Sequence, residues 1–273
     1  MPEEHHASIA VIGSGTLGAQ IAFTMAARGG HSVKLFDSNP EAVRRALDQM
    51  ADPNLTAVPT LELAVSGVEL VIEAIPEDLA LKRELFAQIS RLTESAILAT
   101  NSSSIRSRLL ADVTLRPNRL MNLHFFLEPW KRNVVELMTC GQTDEAVFQR
   151  VSDIMRLAMV EPIRVGKESM GFLYNRIWRS VKKETLRVFA EGVGRAEEID
   201  HMWRVVMASP AGPCETMDAI GLDVVLAIER LYAEESGDPA DNPPPFLEEW
   251  VRDGRLGQKS GRGFYDYPDA NGR

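Results

Sequence analysis

The stretch SIAVIGSGTLGAQIAFTMAARGG, residues 8–30, decides how the first half of the chain is read. Residues 8–12 are a short apolar run ending in glycine, which reads as a buried strand. Gly13, Gly15 and Gly18 then stand in G-x-G-x-x-G spacing, and AQIAFTMAARG has helical spacing that closes on Gly29 and Gly30. The hexad alone is a weak signal. With a strand before it and a helix after it, it becomes a dinucleotide site. Gly13 permits the tight turn, Gly15 lets a pyrophosphate approach the backbone, Gly18 allows close helix–strand packing, and the helix N-terminus faces the phosphates. Thr16 and Leu17 inside the hexad are candidate cofactor contacts. Asp37 closes the next strand, SVKLFD, nineteen residues past Gly18. A carboxylate there accepts bonds from ribose hydroxyls and repels a 2′-phosphate, so NAD is expected over NADP. Arg28, Lys34 and Arg44 are the cations close enough in sequence to weaken that preference.

Outward from this unit, strands keep alternating with helices. NPEAVRRALDQMA reads as a helix capped by Asn39 with Pro40 in its first position. VELVIEAIP is a buried strand, LALKRELFAQISRL a helix, and AILATN, RLMNLHFF and NVVELM are strands. This pattern predicts an α/β, Rossmann-type doubly wound parallel sheet. After residue 165 it stops. GFLYNRIWRSVKKETLRVFAEGV, AEEIDHMWRVVMA and TMDAIGLDVVLAIERLYAEE read as helices with no strand between them, so a smaller all-α domain is expected over 169–273, after a cofactor domain over 1–168. GDPADNPPPF is a proline-rich loop and 268–273 an expected loose tail.

The bulk composition excludes several classes. Among 273 residues, 45% are hydrophobic and 25% charged, as in ordinary globular proteins. A net charge of −9 argues against nucleic acid as a main partner. Two isolated cysteines, Cys140 and Cys214, make no disulfide framework and fit a reducing, cytoplasmic setting. No apolar run reaches the length of a membrane span, and the start has no secretion-signal pattern. His5 and His6 read as a frayed terminus rather than a metal site, and no metal centre is expected.

The second informative stretch is LHFFLEPWKRNVVEL, residues 123–137. A histidine among apolar residues is usually a satisfied core group. Here His124 falls at a strand end where ligands gather in this fold, and Glu136 lies on the neighbouring strand. A carboxylate on one imidazole nitrogen fixes the tautomer and steadies the imidazolium formed when the other nitrogen takes a proton. TNSSS, residues 100–104, ends another strand with small hydroxyls at the same edge. Hydride transfer from a secondary alcohol to nicotinamide needs a base and an oxygen donor, and His124 and Ser103 supply them.

VIGSGTLGAQIA, LVIEAIPEDLALKRELF, ATNSSSI, LHFF, VVEL, GFLYNR, AGPCETMDAIGLD and GRLGQKSGRGFYDY occur in this order between residues 9 and 267. In this set the chain resembles the short-chain L-3-hydroxyacyl-CoA dehydrogenase family of fatty-acid oxidation. The resemblance implies that His124 is the base and Glu136 its orienting partner, with Ser103 and Asn175 holding the substrate oxygen near the nicotinamide. It implies that Glu77, Lys82 and Lys259 line the cofactor or couple the two domains around it. Ala74, Asn101 and Ser103 join the candidate cofactor contacts. It also implies a homodimer built through the helical domain. Simpler roles stay open: Asn175 as a helix cap, Lys259 as a solvated lysine, Glu77 and Lys82 as a surface pair, and Phe172, Trp178, Trp203 and Met217 as core or dimer contacts.

Two departures bear on the substrate. Where the family carries Asn-Pro after HFF, this chain has Leu127 and Glu128, then PWKR. Lys131 and Arg132 could meet an anionic group there, or the loop is simply solvated. Only thirty-two residues separate Asp37 from Leu70, room for one helix and a loop, where the family's CoA enzymes insert a helical hairpin. The expected function is therefore NAD-dependent oxidation of a 3-hydroxyacyl-CoA. The alternatives are the same chemistry on a free or carrier-bound hydroxy acid, or a catalytically silent NAD-binding dimer.

Overall fold

The runs read as strands pair into one sheet. Its members are β1 (Ser8–Ile12), β2 (Ser32–Phe36), β3 (Leu55–Ala57), β4 (Leu70–Glu73), β5 (Ile97–Thr100), β6 (Leu120–Phe125), β7 (Val134–Thr139) and β8 (Glu161–Arg164), in the order β3-β2-β1-β4-β5-β6-β7-β8. The structure, a computed structural model, describes residues 5–267, so the expected tail at 268–273 lies outside the described residues. The chain forms two units that divide between Leu173 and Tyr174. Contacts made by residues 169–173 within the first unit carry the division past the expected 168/169.

Alternate residues of each strand feed opposite faces. One face packs Ile9, Val11, Leu35, Ile72, Leu123 and Phe125 against α1 (Thr16–Ala27), α2 (Pro40–Gln49) and α5 (Glu145–Leu157). The other packs Ala10, Ile12, Val71, Leu98 and Leu120 against α3 (Leu61–Val65), α4 (Leu79–Leu92) and a 3-10 turn at Ser107–Val113. Strand order reverses between β1 and β4, so the crevice at their carboxyl ends is where such sheets take ligands. The Asn39 side chain accepts from Glu41 N at 3.1 Å and caps α2 as its sequence predicts.

Three features differ from the sequence reading. β7 runs antiparallel to β6, and β8 is parallel to β7. Only residues 126–133 join β6 to β7, too few for the crossover a parallel pair needs. β8, with the sequence EPIR, is short and proline-bearing, an edge strand with little periodicity to read. The segment from Asp37 to Leu70 holds α2, the edge strand β3 and the short α3, rather than one helix and a loop. Lys34 Nζ donates to Leu63 O at 3.0 Å and Ser66 O at 2.7 Å, satisfying carbonyls at the end of α3.

The second unit contains α6 (Tyr174–Ala190), α7 (Ala196–Met207), α8 (Pro213–Ile220), α9 (Leu222–Ser236) and α10 (Pro245–Arg252), so helix resumes within the expected proline-rich loop. Leu186, Cys214, Met217, Val225, Leu247 and Phe264 form its core. The long helix starts at Tyr174, not Gly171, because Gly171 and Phe172 have φ of 73° and 56°. The GQKSGRGFYDY segment wraps Asp218, whose carboxylate accepts from Phe264 N (2.9 Å), Tyr265 N (3.0 Å) and the Tyr267 hydroxyl (3.0 Å).

Candidate active site

At the glycine turn each residue meets a different constraint. A Cβ on Gly13, whose φ is +105°, would lie 2.6 Å from Ala74 O, and one on Gly18 would lie 2.1 Å from Gly13 O. Gly15 has nothing within 4 Å of its Cβ position, so there the backbone is open to a ligand. The first turn of α1 begins with exposed Thr16 and half-buried Leu17 and has no side-chain cap, which leaves its N–H groups for an anion. Asp37 Oδ2 accepts from Ser14 N at 2.7 Å and Ser14 Oγ at 3.0 Å, while Oδ1 accepts from Asn39 N at 2.9 Å. Arg28 donates to Trp130 O, Lys34 to the end of α3, and Arg44 to Glu41. All three cations are thus engaged away from Asp37. The open turn and the acidic strand end fit a dinucleotide with a free 2′-hydroxyl.

Beside this turn lies a buried ionic cluster that sequence reasoning missed. Glu73 ends β4 with no solvent exposure and accepts from Lys82 Nζ (2.5 Å), Thr100 Oγ1 (2.6 Å) and Ile75 N (2.8 Å). Lys82 is therefore a buried tether between β4 and α4 and not a surface group. Removing one member of such a pair costs about 3–5 kcal/mol. The available signal was an acid inside a fully apolar strand, which requires a nearby cation. Glu77 accepts from Ser102 Oγ (2.5 Å), Ser104 N (3.0 Å) and Ser104 Oγ (2.6 Å). Burial would raise its pKa, but these bonds and the Lys82 charge hold it below the usual carboxylate value. Glu77 thus fixes the 100–104 loop on which Ser103 stands exposed. Asn101 Oδ1 accepts from Phe125 N at 2.9 Å, joining the ends of β5 and β6.

His124 and Glu136 are register partners across the antiparallel β6–β7 ladder, so their side chains share a face. His124 Nδ1 lies 2.9 Å from Glu136 Oε2, with both residues buried. Nε2 of the same ring has no protein partner among the described residues. Glu136 Oε1 accepts from Leu173 N at 2.9 Å. Phe172 stacks on the imidazole at 4.8 Å with a 27° interplanar angle, and Phe126 makes a second ring contact at 4.9 Å. Phe172, read from sequence as a core or dimer residue, is buried against the His124 imidazole.

The cations of the LEPWKR loop are exposed and have partners within the loop. Lys131 Nζ pairs with Glu128 at 2.6 Å, and Arg132 donates to Leu127 O at 2.8 Å. Glu128 N donates to Gln20 Oε1 at 2.8 Å, and Trp130 packs edge-on against Phe23 of α1. Of the two roles open to this loop, neither is decided by these contacts: one charge pair three residues apart is met inside the loop, and the tryptophan is its anchor. His6 and His5 are likewise tied down, through His6 Nδ1 to Gly29 O (3.0 Å) and Arg150 to His5 O (3.3 Å), and are not frayed. In the second unit Asn175 is half-buried in the first turn of α6, and Lys259 is exposed and pairs with Asp223 at 2.5 Å.

Comparison with known proteins agrees with this geometry. The model of the 3-hydroxyacyl-CoA dehydrogenase NAD binding domain matches residues 8–58 and 52–169, and that of the 3-hydroxyacyl-CoA dehydrogenase C-terminal domain matches 171–267. A 3-hydroxybutyryl-CoA dehydrogenase of Clostridioides difficile is 35% identical over 95% of this chain and 99% of its own. The crystal structure of an (S)-3-hydroxybutyryl-CoA dehydrogenase from Ralstonia eutropha superposes with a TM-score of 0.91 at 31% identity, covering 96% of this chain and 99% of that one. A diketoreductase that acts on dicarbonyl compounds superposes with a TM-score of 0.82 at 28% identity, covering 96% of this chain and all of that one. With both halves matched over the glycine turn, the histidine strand and the C-terminal segment, the chain belongs to the 3-hydroxyacyl-CoA dehydrogenase family and is an NAD-dependent oxidoreductase of that family.

Proposed function

We propose that this protein oxidises the 3-hydroxyl of a 3-hydroxyacyl-CoA to the ketone, with His124 as general base. The observation that carries the reading is the His124–Glu136 pair, 2.9 Å apart at the carboxyl end of β6, with one ring nitrogen engaged and the other left over. NAD, when bound at the Gly13–Gly18 turn and Asp37, supplies the hydride acceptor. Nε2 takes the hydroxyl proton as the C–H hydride leaves and C–O becomes C=O. Glu136 keeps the proton on Nδ1 and offsets the imidazolium charge. Ser103, on the loop fixed by Glu77, is the proposed donor to the substrate oxygen, and Asn175 is proposed as a second donor. Glu73 and Lys82 support the cofactor edge from beneath. The His124→Gln variant should bind NADH normally and lose about 10²–10⁴-fold in turnover; normal turnover would remove the assigned base.

A second reading keeps this chemistry on a free hydroxy acid or a carrier-bound ester. Its support is the α2–β3–α3 segment, which buries Val43, Ala46, Leu55, Ala64 and Val65 against the sheet, and the likeness to the diketoreductase. Turnover of 3-hydroxybutyryl-CoA compared with free 3-hydroxybutyrate separates the two readings. Strong preference for the ester excludes the free acid. A homodimer and a cytoplasmic location belong to the same proposal. The dimer is supported by the apolar residues exposed on α7, and among the described residues no helix is long and apolar enough to cross a membrane.

A further inference from the structure

We infer that Phe172 and Leu173 are positioning residues for the His124–Glu136 pair, so that the segment leaving the first unit is a working part of the base. This rests on the base assignment above.

Four tethers hold the segment. Glu168 pairs with Arg108 at 2.8 Å, and Ser169 N lies 3.3 Å from Met138 Sδ on β7. Phe172 N donates to Ser169 O at 3.2 Å, and Leu173 N donates to Glu136 Oε1 at 2.9 Å. The corner between them is built from two consecutive left-handed residues, Gly171 at φ 73° and Phe172 at φ 56°. Glycine adopts that conformation freely and phenylalanine does not, so a large side chain there needs a local reason. The reason is its ring, which lies over the imidazole in a residue only 1% exposed.

The corner does two things to the pair. A carboxylate bound to an imidazole through one oxygen can still swing about its own axis. The Leu173 N–H fixes the second oxygen and stops that motion with a charge-assisted bond. The Phe172 ring blocks rotation of the imidazole out of the plane it shares with Glu136. Its π face also favours the positive charge that the ring carries after proton transfer. An aromatic serving only to fill the core would need neither the strained backbone nor the stack.

The test reads His124 directly and then its chemistry. In ring-¹⁵N-labelled apoprotein, Nδ1–H of His124, identified by its loss in His124→Gln, should give a slowly exchanging resonance. That resonance should broaden or exchange faster in Phe172→Leu and in Phe172→Gly, which removes the ring while relaxing the backbone. In both variants kcat should fall about tenfold to a hundredfold with NADH affinity unchanged. Phe172→Tyr, which keeps the flat ring, should retain both resonance and kcat. An unaltered resonance in the Leu and Gly variants overturns the inference. So does an absent resonance in the wild type, or a Tyr variant no better than Leu. If the resonance behaves as expected but no 3-hydroxy substrate is turned over, the positioning role stands and the activity reading falls.

Discussion

His31 is fully buried and spends both ring nitrogens on the backbone. Nδ1 accepts from Ala7 N at 3.0 Å, so Nε2 carries the proton and donates to Ile154 O at 3.1 Å. Protonating Nδ1 would set two donors against each other. Burial pushes this imidazole below the ordinary histidine value; the Ile154 carbonyl opposes that, and the charges of His6 and Arg150 add to it. A depressed folded-state value means the unfolded chain binds the proton first. Stability should be fully present above pH 6.5 and fall as pH drops below it, by up to about 1.4 kcal/mol per pH unit. Denaturant titrations across pH 5–7 read this slope, and His31→Gln should flatten it. His31 and His124 are both buried, yet only His124 stands in an apolar run, and only it was read as a candidate base. It has a carboxylate twelve residues on, in a second strand. Glu73 and Phe172 were not legible, because each acquires its role from a contact, with Lys82 or with His124, that one position in a strand or turn does not announce.

At the scale of elements, Asp218 is the acid around which the C-terminal segment folds, with Asp200 and Asp223 meeting Tyr265 and Lys259. A Cβ on Gly263 would come within 2.0 Å of Asp218 Oδ1, and one on Gly257 within 2.3 Å of Asp218 O. Asp218 is itself almost fully buried and also meets the Tyr267 hydroxyl. Asp218→Ala would leave the buried Phe264 N–H and the part-buried Tyr265 N–H without an acceptor, a loss of about 1–3 kcal/mol for the buried one and less for the other. Thermal unfolding should register that loss, and hydrogen exchange should show residues 257–267 losing protection. Full protection in the variant would show that other contacts hold the segment. GQKSGRGFYDY was recognisable as a motif, but what it does was not, since Phe264 and its partner are 46 residues apart in sequence. The LEPWKR loop poses the opposite problem. Its cations look alike in a linear reading, but Lys131 meets Glu128, which turns into the left-handed region at φ 55°, while Arg132 meets the Leu127 carbonyl.

Across the whole molecule, alternation of strands and helices made the parallel core of the sheet legible, as did the shift to helix after it. The reversal at β7 was readable only in part, from the short β6–β7 connection. α7 exposes Met202, Val205, Val206 and Met207, each more than half accessible. These side chains left in water are what supports the proposed dimer. Light scattering at micromolar concentration should report a dimer. A Val205→Asp/Val206→Asp double variant should weaken it about tenfold or more. A monomeric wild type would remove the dimer from the proposal.

The β6–β7 ladder carries one more consequence. Because register sets His124 against Glu136, the eight residues joining the two strands do not measure out the distance between them. Selection can therefore rewrite that connection, as the tryptophan-anchored version here illustrates, while the spacing of the proposed base and its carboxylate is inherited intact.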